Sequence, residues 1–115
     1  MVENLKLSEL DPIDHIAISV DDIQGAVDWY RQHFNCQVTY QDETWAFIKF
    51  ANIKLALVMP EQHPPHIAFI SETAESFGVL KKHRDGTKSV YINDPAGNSL
   101  EIMAPYPVIP EGNDR

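Results

Sequence analysis

Two short apolar segments of the chain open in the same way. DHIAISV at residues 14–20 and PHIAFIS at residues 65–71 each place a histidine before Ile-Ala and further apolar residues. Short runs rich in β-branched residues and bounded by turn residues are typical of buried strands. Because a polar side chain in a buried strand needs a partner, the recurrence indicates an internal repeat in which both histidines have a common role.

The residues around the first histidine predict a βαβββ unit. A strand at 15–20 precedes a helix that begins at Asp21, and Asp21 and Gln24 have the spacing of a capping box. Apolar residues then recur on one helical face, at Ile23, Val27, Tyr30 and Phe34. Period-two patterns predict three further strands at 37–42, 44–50 and 53–59.

The second half of the chain predicts a shorter copy of the same unit. The connector PEQHPP at residues 60–65 interrupts regular structure, and a strand follows at 66–70. A helix capped by Ser71 or Thr73 is predicted to run to about residue 83. Two strands at 88–93 and 98–103 flank the turn at residues 94–97, so the second strand of this unit is reduced to little or nothing.

Alignment of the two halves places His15 opposite His66, and Ala56 opposite Glu101. Repeats of this length usually form one supersecondary unit each, and the units bury their apolar faces together. A pseudo-twofold axis would bring their first and last strands to a common cleft. Glu101 lies between two apolar residues, and alternation along a strand turns its side chain to the opposite face.

His15, His66 and Glu101 are therefore candidate metal ligands. A buried carboxylate without a partner is costly, and a cation in the cleft would satisfy it. Two neutral imidazoles and one carboxylate suit Fe(II) with open coordination positions, and Mn, Ni, Zn or Co are further options. Each histidine alone is more simply explained as a hydrogen-bonded core residue, but the repeat favours a metal site.

Composition and charge argue against several classes of function. The 115 residues allow one compact domain or two small modules that share a core. The net charge of −8 and the absence of a basic run argue against nucleic-acid binding. No apolar run is long enough for a membrane span, the first residues lack a signal-peptide pattern, and the single Cys36 favours a reducing, cytoplasmic setting.

Three segments, DHIAISVDDIQGAVDWYRQHF, PHIAFIS and VYINDPAGNSLEIM, resemble the vicinal oxygen chelate (VOC) superfamily. That superfamily includes glyoxalase I, extradiol dioxygenases, fosfomycin-resistance proteins, methylmalonyl-CoA epimerases and bleomycin-binding proteins. The resemblance covers residues 13–104 and implies an α+β fold. It predicts two βαβββ modules, 13–60 and a truncated 65–104, that form a curled mixed sheet around a metal cleft. Residues 1–12 would be an N-terminal extension, and residues 105–115 a C-terminal tail.

The family's metal ligands fall on His15, His66 and Glu101, with one departure. Many glyoxalase and epimerase relatives carry a fourth ligand where this chain has Ala56, which cannot coordinate. The remaining set is more similar to extradiol dioxygenases and fosfomycin-modifying enzymes. Ring-cleaving dioxygenases usually add a tyrosine and a histidine beside the metal; Tyr91 matches the tyrosine, but no partner histidine is evident. His83 is predicted at a helix end, where exposure or the helix dipole accounts for it.

The resemblance implies a metal-dependent dioxygenase, lyase, isomerase or transferase that acts on a small oxygenated substrate bound through two oxygens. Glu101 would ligate the metal and, as in some relatives, act as a base. Tyr91 is a candidate catalytic residue or, alternatively, a core tyrosine with a satisfied hydroxyl. The competing hypotheses are a non-catalytic protein that sequesters a drug or antibiotic, and an accessory subunit of the same fold.

A homodimer is also expected. The chain offers a small core, and a truncated second module leaves the edge of a sheet uncovered. In the family, modules pair either within one chain or between two, so the sequence leaves open whether His15 meets His66 of the same subunit.

Overall fold

One mixed sheet runs through both halves of the molecule. The computed structural model describes residues 4–83 and 86–106, and its sheet has the strand order β2-β3-β4-β1-β5-β8-β7-β6. A single α-helix, α1 (Ile23–His33), and two 3₁₀ turns (Leu7–Glu9 and Ala74–Phe77) complete the described structure. The strands are β1 (Ile13–Ser19), β2 (Gln37–Gln41), β3 (Trp45–Lys49), β4 (Lys54–Val58), β5 (His66–Ile70), β6 (Lys81–Lys82), β7 (Lys88–Asn93) and β8 (Ser99–Met103).

The two halves use the same strand pairing. In the first half β1 lies parallel to β4, with Ala17 opposite Ala56. In the second half β5 lies parallel to β8, with Ala68 opposite Glu101. Antiparallel pairing of β1 with β5 joins the halves and sets Ala17 opposite His66. The predicted α+β fold, with a curled mixed sheet built from two related units, is confirmed. The residue bounds of the two modules stay predictions.

Helix α1 covers one face of the first half. Ile23 and Val27 pack against Ile48 and Leu57 of the sheet, and all four are buried. Burial of each such side chain stabilises the fold by about 1.5–3 kcal/mol. The predicted cap at Asp21 is wrong by one residue: the Asp22 side chain accepts the hydrogen bond from the Gly25 N–H at 3.1 Å.

The helix predicted to run to residue 83 is also wrong. Only the 3₁₀ turn Ala74–Phe77 forms, and the chain leaves it at Gly78. Gly78 has φ +151°, which side-chain-bearing residues rarely adopt, and a Cβ there would lie 3.0 Å from Val90 Cγ2. The chain then forms the short strand β6 beside β7. The second strand of this unit is therefore reduced almost completely, as expected, since β6 has only two residues.

Parts of three predicted regions lie outside the described structure. The residues not described are 1–3 of the predicted N-terminal extension, 84 and 85 between the predicted helix and the strand at 88–93, and 107–115 of the predicted tail. Within the described residues, no helix has the length and apolar character needed to span a membrane.

Candidate metal centre

His15, His66 and Glu101 meet on one face of the central strands. One possible ligand atom from each residue lies within 4.8 Å of the other two, and all three residues are buried. Glu101 Oε1 lies 3.3 Å from His15 Nε2 and 3.2 Å from His66 Nε2. The structure brings these residues together within one chain, because β1, β5 and β8 are successive strands of the sheet.

The imidazole of His66 presents a lone pair to Glu101. Its Nδ1 lies 2.9 Å from the Pro64 carbonyl oxygen, which can only accept, so Nδ1 carries the proton in the neutral ring. The opposite nitrogen, Nε2, is buried and has no hydrogen-bond partner among the residues that the structure describes. Two acceptors, Nε2 and a carboxylate oxygen, therefore face each other at a distance that favours a cation between them.

His15 is oriented in the same way by a charged partner. Asp14 Oδ2 lies 2.7 Å from His15 Nδ1, so the Nε2 lone pair again points towards Glu101. Burial alone would lower the pKa of His15, but the hydrogen bonds and charges of Asp14 and Glu101 outweigh it and raise that pKa.

Asp14 is itself held by residues from distant parts of the chain. The Tyr106 hydroxyl donates to Asp14 Oδ1 at 2.6 Å, and Lys54 Nζ lies 3.4 Å from Asp14 Oδ2. Burial would raise the pKa of Asp14, but hydrogen bonds from His15 and Tyr106 and the charge of Lys54 lower it. Asp14 belongs to the repeated segment, yet the sequence pattern alone predicts no role for it.

Glu101 is held from behind by Ser89 and His83. The buried Ser89 hydroxyl donates to Glu101 Oε2 at 2.7 Å, and His83 Nε2 lies 2.6 Å from Ser89 Oγ. Since the serine proton goes to Glu101, His83 donates to Ser89 Oγ. Burial would raise the pKa of Glu101, but the adjacent imidazoles of His15 and His66 and the hydrogen bond from the Ser89 hydroxyl hold it well below its usual range.

Neither residue behind Glu101 is predicted as part of the site from the sequence. The predicted helix would place His83 at its end, whereas the hairpin of β6 and β7 turns it towards Ser89. A signal was available for Ser89, because period-two alternation along the predicted strand at 88–93 puts it on the same face as Tyr91.

Tyr91 lies beside the same cluster. It is directly opposite Glu101 in the sheet, and its ring meets the His66 ring edge-on at 5.2 Å. The residue is 42% exposed, so it is not a core tyrosine. Partial burial and the negative charge of Glu101 raise the pKa of its phenol, which keeps the hydroxyl protonated at neutral pH and able to donate.

The opposite side of the cleft is apolar. Ala56, where many relatives have a ligand, is buried with Ala17 and Val58, and the rings of Trp45 and Phe47 pack against this group. Phe47 meets the His15 ring edge-on at 5.0 Å. Among its described residues, the first half therefore contributes a histidine ligand and an apolar aromatic wall to the cluster, but no carboxylate ligand.

Known proteins share the sequence pattern and the fold of this chain. Residues 12–80 match the sequence model of the Glyoxalase/Bleomycin resistance protein/Dioxygenase superfamily. The structure is similar to methylmalonyl-CoA epimerase from Mycobacterium tuberculosis, with 14% identity, 93% of this chain and 97% of that chain covered, and a TM-score of 0.68. No curated protein sequence matches the chain significantly.

Two further solved structures have the same fold. A variant of the Streptomyces coelicolor methylmalonyl-CoA epimerase, in complex with 2-nitronate-propionyl-CoA, has 18% identity, coverage of 84% of this chain and 98% of that chain, and a TM-score of 0.67. A glyoxalase/bleomycin resistance protein/dioxygenase superfamily member from Vibrio splendidus 12B01 has 11% identity, coverage of 83% and 99%, and a TM-score of 0.60. At these identities the similarity shows the fold alone.

Proposed function

The chain belongs to the Glyoxalase/Bleomycin resistance protein/Dioxygenase superfamily, and on this basis we propose that it is a metal-dependent enzyme. His15, His66 and Glu101 hold one divalent ion, for which we favour Fe(II) over Mn, Ni, Zn or Co. The substrate is a small oxygenated molecule that approaches the ion through two adjacent oxygens. The buried, unpartnered His66 Nε2 beside Glu101 Oε1 is the observation that carries the proposal.

The donor set fits a divalent ion. Both imidazoles turn Nε2 towards the same carboxylate oxygen, because Asp14 and the Pro64 carbonyl occupy their Nδ1 atoms. Three acceptors that converge in a buried site repel one another unless a cation lies between them. Two imidazoles and one carboxylate match the facial set of non-haem Fe(II), which leaves coordination positions open.

The bound ion supplies Lewis acidity, which stabilises negative charge that develops on the chelated oxygens. The chain's own residues orient the site. Ser89 holds Glu101 Oε2 and leaves Oε1 directed at the two histidines. Tyr91 is partly exposed and keeps a protonated hydroxyl beside Glu101, and this hydroxyl would turn from Glu101 to a substrate oxygen when substrate binds.

The reaction class decides whether Glu101 has a second role. In an isomerase or lyase, its carboxylate would also remove a proton from the substrate, and the Tyr91 hydroxyl would donate to the developing oxyanion. In a dioxygenase, Glu101 remains a ligand and Tyr91 orients the substrate. The methylmalonyl-CoA epimerases named among the similar structures make the first class worth testing beside the second.

Metal titration of the full-length chain tests the proposal. Chelator-treated protein is titrated under anaerobic conditions with Fe(II), Mn(II), Co(II), Ni(II) and Zn(II), and one ion should bind per chain. His66→Ala and Glu101→Gln should lose this binding. His33→Ala is the matched control, because His33 is exposed and its Nδ1 bonds locally to the Trp29 carbonyl. Absence of stoichiometric binding, or unchanged binding by His66→Ala, would contradict the proposal.

A substrate screen separates catalysis from sequestration. Oxygen consumption with catechols reports dioxygenase activity, whereas isomerisation of hemithioacetals reports the glyoxalase class. Turnover that disappears in Glu101→Gln supports the enzyme. Stoichiometric metal binding with ligand binding, but without turnover of any ligand that binds, would favour the sequestering protein.

We also propose that the protein acts as a homodimer. The sheet is unclosed, with β2 and β6 at its two ends, and such edges are sites for pairing or coverage by another chain. Light scattering at several protein concentrations measures the mass directly, and a monomer throughout would contradict the proposal.

A further inference from the structure

We propose that Tyr106 is a positioning residue of the metal centre, which acts through Asp14 to fix the orientation of His15. The residue lies beyond β8 in the sequence, at the end of the described chain, and contacts Asp14 at the start of β1. This inference rests on the proposed function, because it concerns how the chain prepares a ligand for the ion.

The two oxygens of Asp14 have separate tasks. Oδ2 accepts from His15 Nδ1 at 2.7 Å, whereas Oδ1 accepts from the Tyr106 hydroxyl at 2.6 Å. The side chains of Asp14 and His15 are only 7% and 6% exposed. With both oxygens occupied, rotation of the carboxylate about its Cβ–Cγ bond is restricted, and so is the direction in which the imidazole points.

Lys54 determines the direction of the Tyr106 hydrogen bond. Lys54 Nζ donates to the Tyr106 hydroxyl oxygen at 2.8 Å, and an ammonium group has no acceptor. The hydroxyl proton is therefore directed to Asp14. Lys54 lies directly opposite His15 in the β1–β4 pairing, and its charge offsets that of the buried Asp14 carboxylate at 3.4 Å.

The arrangement around His66 provides an internal comparison. In the aligned repeat Pro65 occupies the position of Asp14, and a backbone carbonyl, that of Pro64, orients the second imidazole. A backbone carbonyl is fixed by the chain itself and needs no further support, whereas a carboxylate side chain can rotate. The contact with Tyr106 is therefore expected to affect His15 and to leave His66 unchanged.

Hydrogen bonds that support metal ligands from outside the ligand set typically change metal affinity by about 10–100-fold. Asp14→Asn should weaken Co(II) binding within that range. Tyr106→Phe removes one hydroxyl and keeps the ring beside Lys54, so a smaller loss of about three- to tenfold is expected. If Tyr106 acts through Asp14, its loss should cost little further affinity in the Asp14→Asn background.

The experiment is a Co(II) titration of the full-length chain, followed by calorimetry and by the visible absorption of the bound ion. The four proteins are wild type, Tyr106→Phe, Asp14→Asn and the double variant. Tyr40→Phe is the matched control, because it removes a tyrosine hydroxyl that hydrogen-bonds an aspartate in the β2–β3 turn. The control should bind Co(II) like wild type, and Tyr106→Phe should change both affinity and spectrum.

The outcomes distinguish this inference from the proposed function. Failure of the wild type to bind Co(II) or any other divalent ion would overturn both. Wild-type affinity in Tyr106→Phe, with or without a lower melting temperature of the metal-free protein, would overturn only the positioning role and leave Tyr106 as an anchor for its segment. Fully additive losses in the double variant would likewise overturn action through Asp14.

Discussion

The two halves of the sheet have similar inner strands, where the halves pair with each other, and different outer elements. In the first half, β1 and β4 are accompanied by a five-residue β2 and an 11-residue helix. In the second half, their counterparts β5 and β8 are accompanied by a two-residue β6 and a four-residue 3₁₀ turn. The inner strands nevertheless keep equivalent registers. Pairing across the centre thus constrains the strands that carry the histidines, while the outer elements vary.

Side chains at equivalent positions of the cleft differ in polarity. Opposite Ala56 the first half has Phe47, and opposite Glu101 the second half has Tyr91. Both rings pack edge-on against their own half's histidine. The first half thus supplies apolar packing, and the second half supplies the carboxylate and the hydroxyl, so the two are specialised although their backbones match.

The largest expected effect comes from removing the carboxylate that exists in only one half. Glu101→Gln should weaken divalent-ion binding by more than the roughly 10–100-fold that supporting residues contribute, since a ligand itself is changed. Calorimetric titration measures the loss. Glu43→Gln, the same change at an exposed turn, is the control. Equal affinity of the two variants would remove Glu101 from the site.

Introducing the carboxylate into the first half should damage the fold. Ala56→Glu places a charge among Ala17, Val58 and the aromatic rings, and should lower the free energy of unfolding of the metal-free protein by about 2–5 kcal/mol. Chemical denaturation measures this quantity. Ala51→Glu, the same change at an exposed turn, should be nearly neutral. A stable Ala56→Glu protein would mean that the two halves are more interchangeable than their packing indicates.

Loss of the hydroxyl behind Glu101 should have an intermediate effect. Ser89→Ala removes the 2.7 Å hydrogen bond to Oε2, whereas the equivalent position in the first half carries Trp45, whose ring packs against the apolar group around Ala56. We expect about a tenfold loss of metal affinity. Ser76→Ala, at an exposed serine, should bind metal normally. Unchanged affinity in Ser89→Ala would show that Glu101 needs no such support.

Tyr91→Phe should give the second half the same ring beside its histidine as the first half, without lowering the stability of the fold. Phe47 shows that a ring without a hydroxyl packs well against the histidine of its half, so the unfolding free energy should change by less than about 0.5 kcal/mol. Metal affinity should also persist, while turnover of any identified substrate should fall. A variant with full activity would exclude a catalytic role for the hydroxyl.

The smallest effect concerns the outer hairpin that only the first half has in full. Hydrogen bonds from the Tyr40 hydroxyl and from the Thr44 and Trp45 backbones outweigh slight burial and lower the pKa of Asp42 to about 2. A depressed pKa in the folded state adds stability above the ordinary value of 3.8, and this stability is lost as the pH falls towards 2.

For this group near the surface the contribution is about 1 kcal/mol or less. Asp42→Asn should therefore flatten the dependence of melting temperature on pH between about 4 and 2, and should leave metal binding at neutral pH unchanged. If the melting temperatures of the variant and the wild type depended on pH in the same way, the charge of Asp42 would make no contribution to stability.

The strands of the two related units and the three candidate ligands could be predicted from the sequence. Strand periodicity and two aligned histidines were enough to expect His15, His66 and Glu101 on one face, because the pairing of related units follows from the pattern. The end of the second helix could not be predicted, because the helical spacing of apolar residues continues beyond Gly78. Only the φ angle of Gly78 in the structure shows that the helix does not continue. That error hid β6 and misplaced His83.

Contacts between distant segments were beyond sequence patterns. Tyr106 reaches Asp14 across almost the whole chain, and no periodicity links the two residues. Lys54 read as an ordinary strand residue, although the β1–β4 register puts it opposite His15. Such partners depend on tertiary geometry, which a single sequence does not specify locally.

The position of the centre at the junction of β1 and β5 has a consequence for folding. His15 and Glu101 belong to the first and last strands of the described chain, so an ion bound to both would close a loop that includes every strand between them. Such a bridge is absent from the unfolded chain, and an ion at 100 times its dissociation constant stabilises a folded protein by about 2.7 kcal/mol. The amount of folded protein in a cell would then follow the supply of the ion.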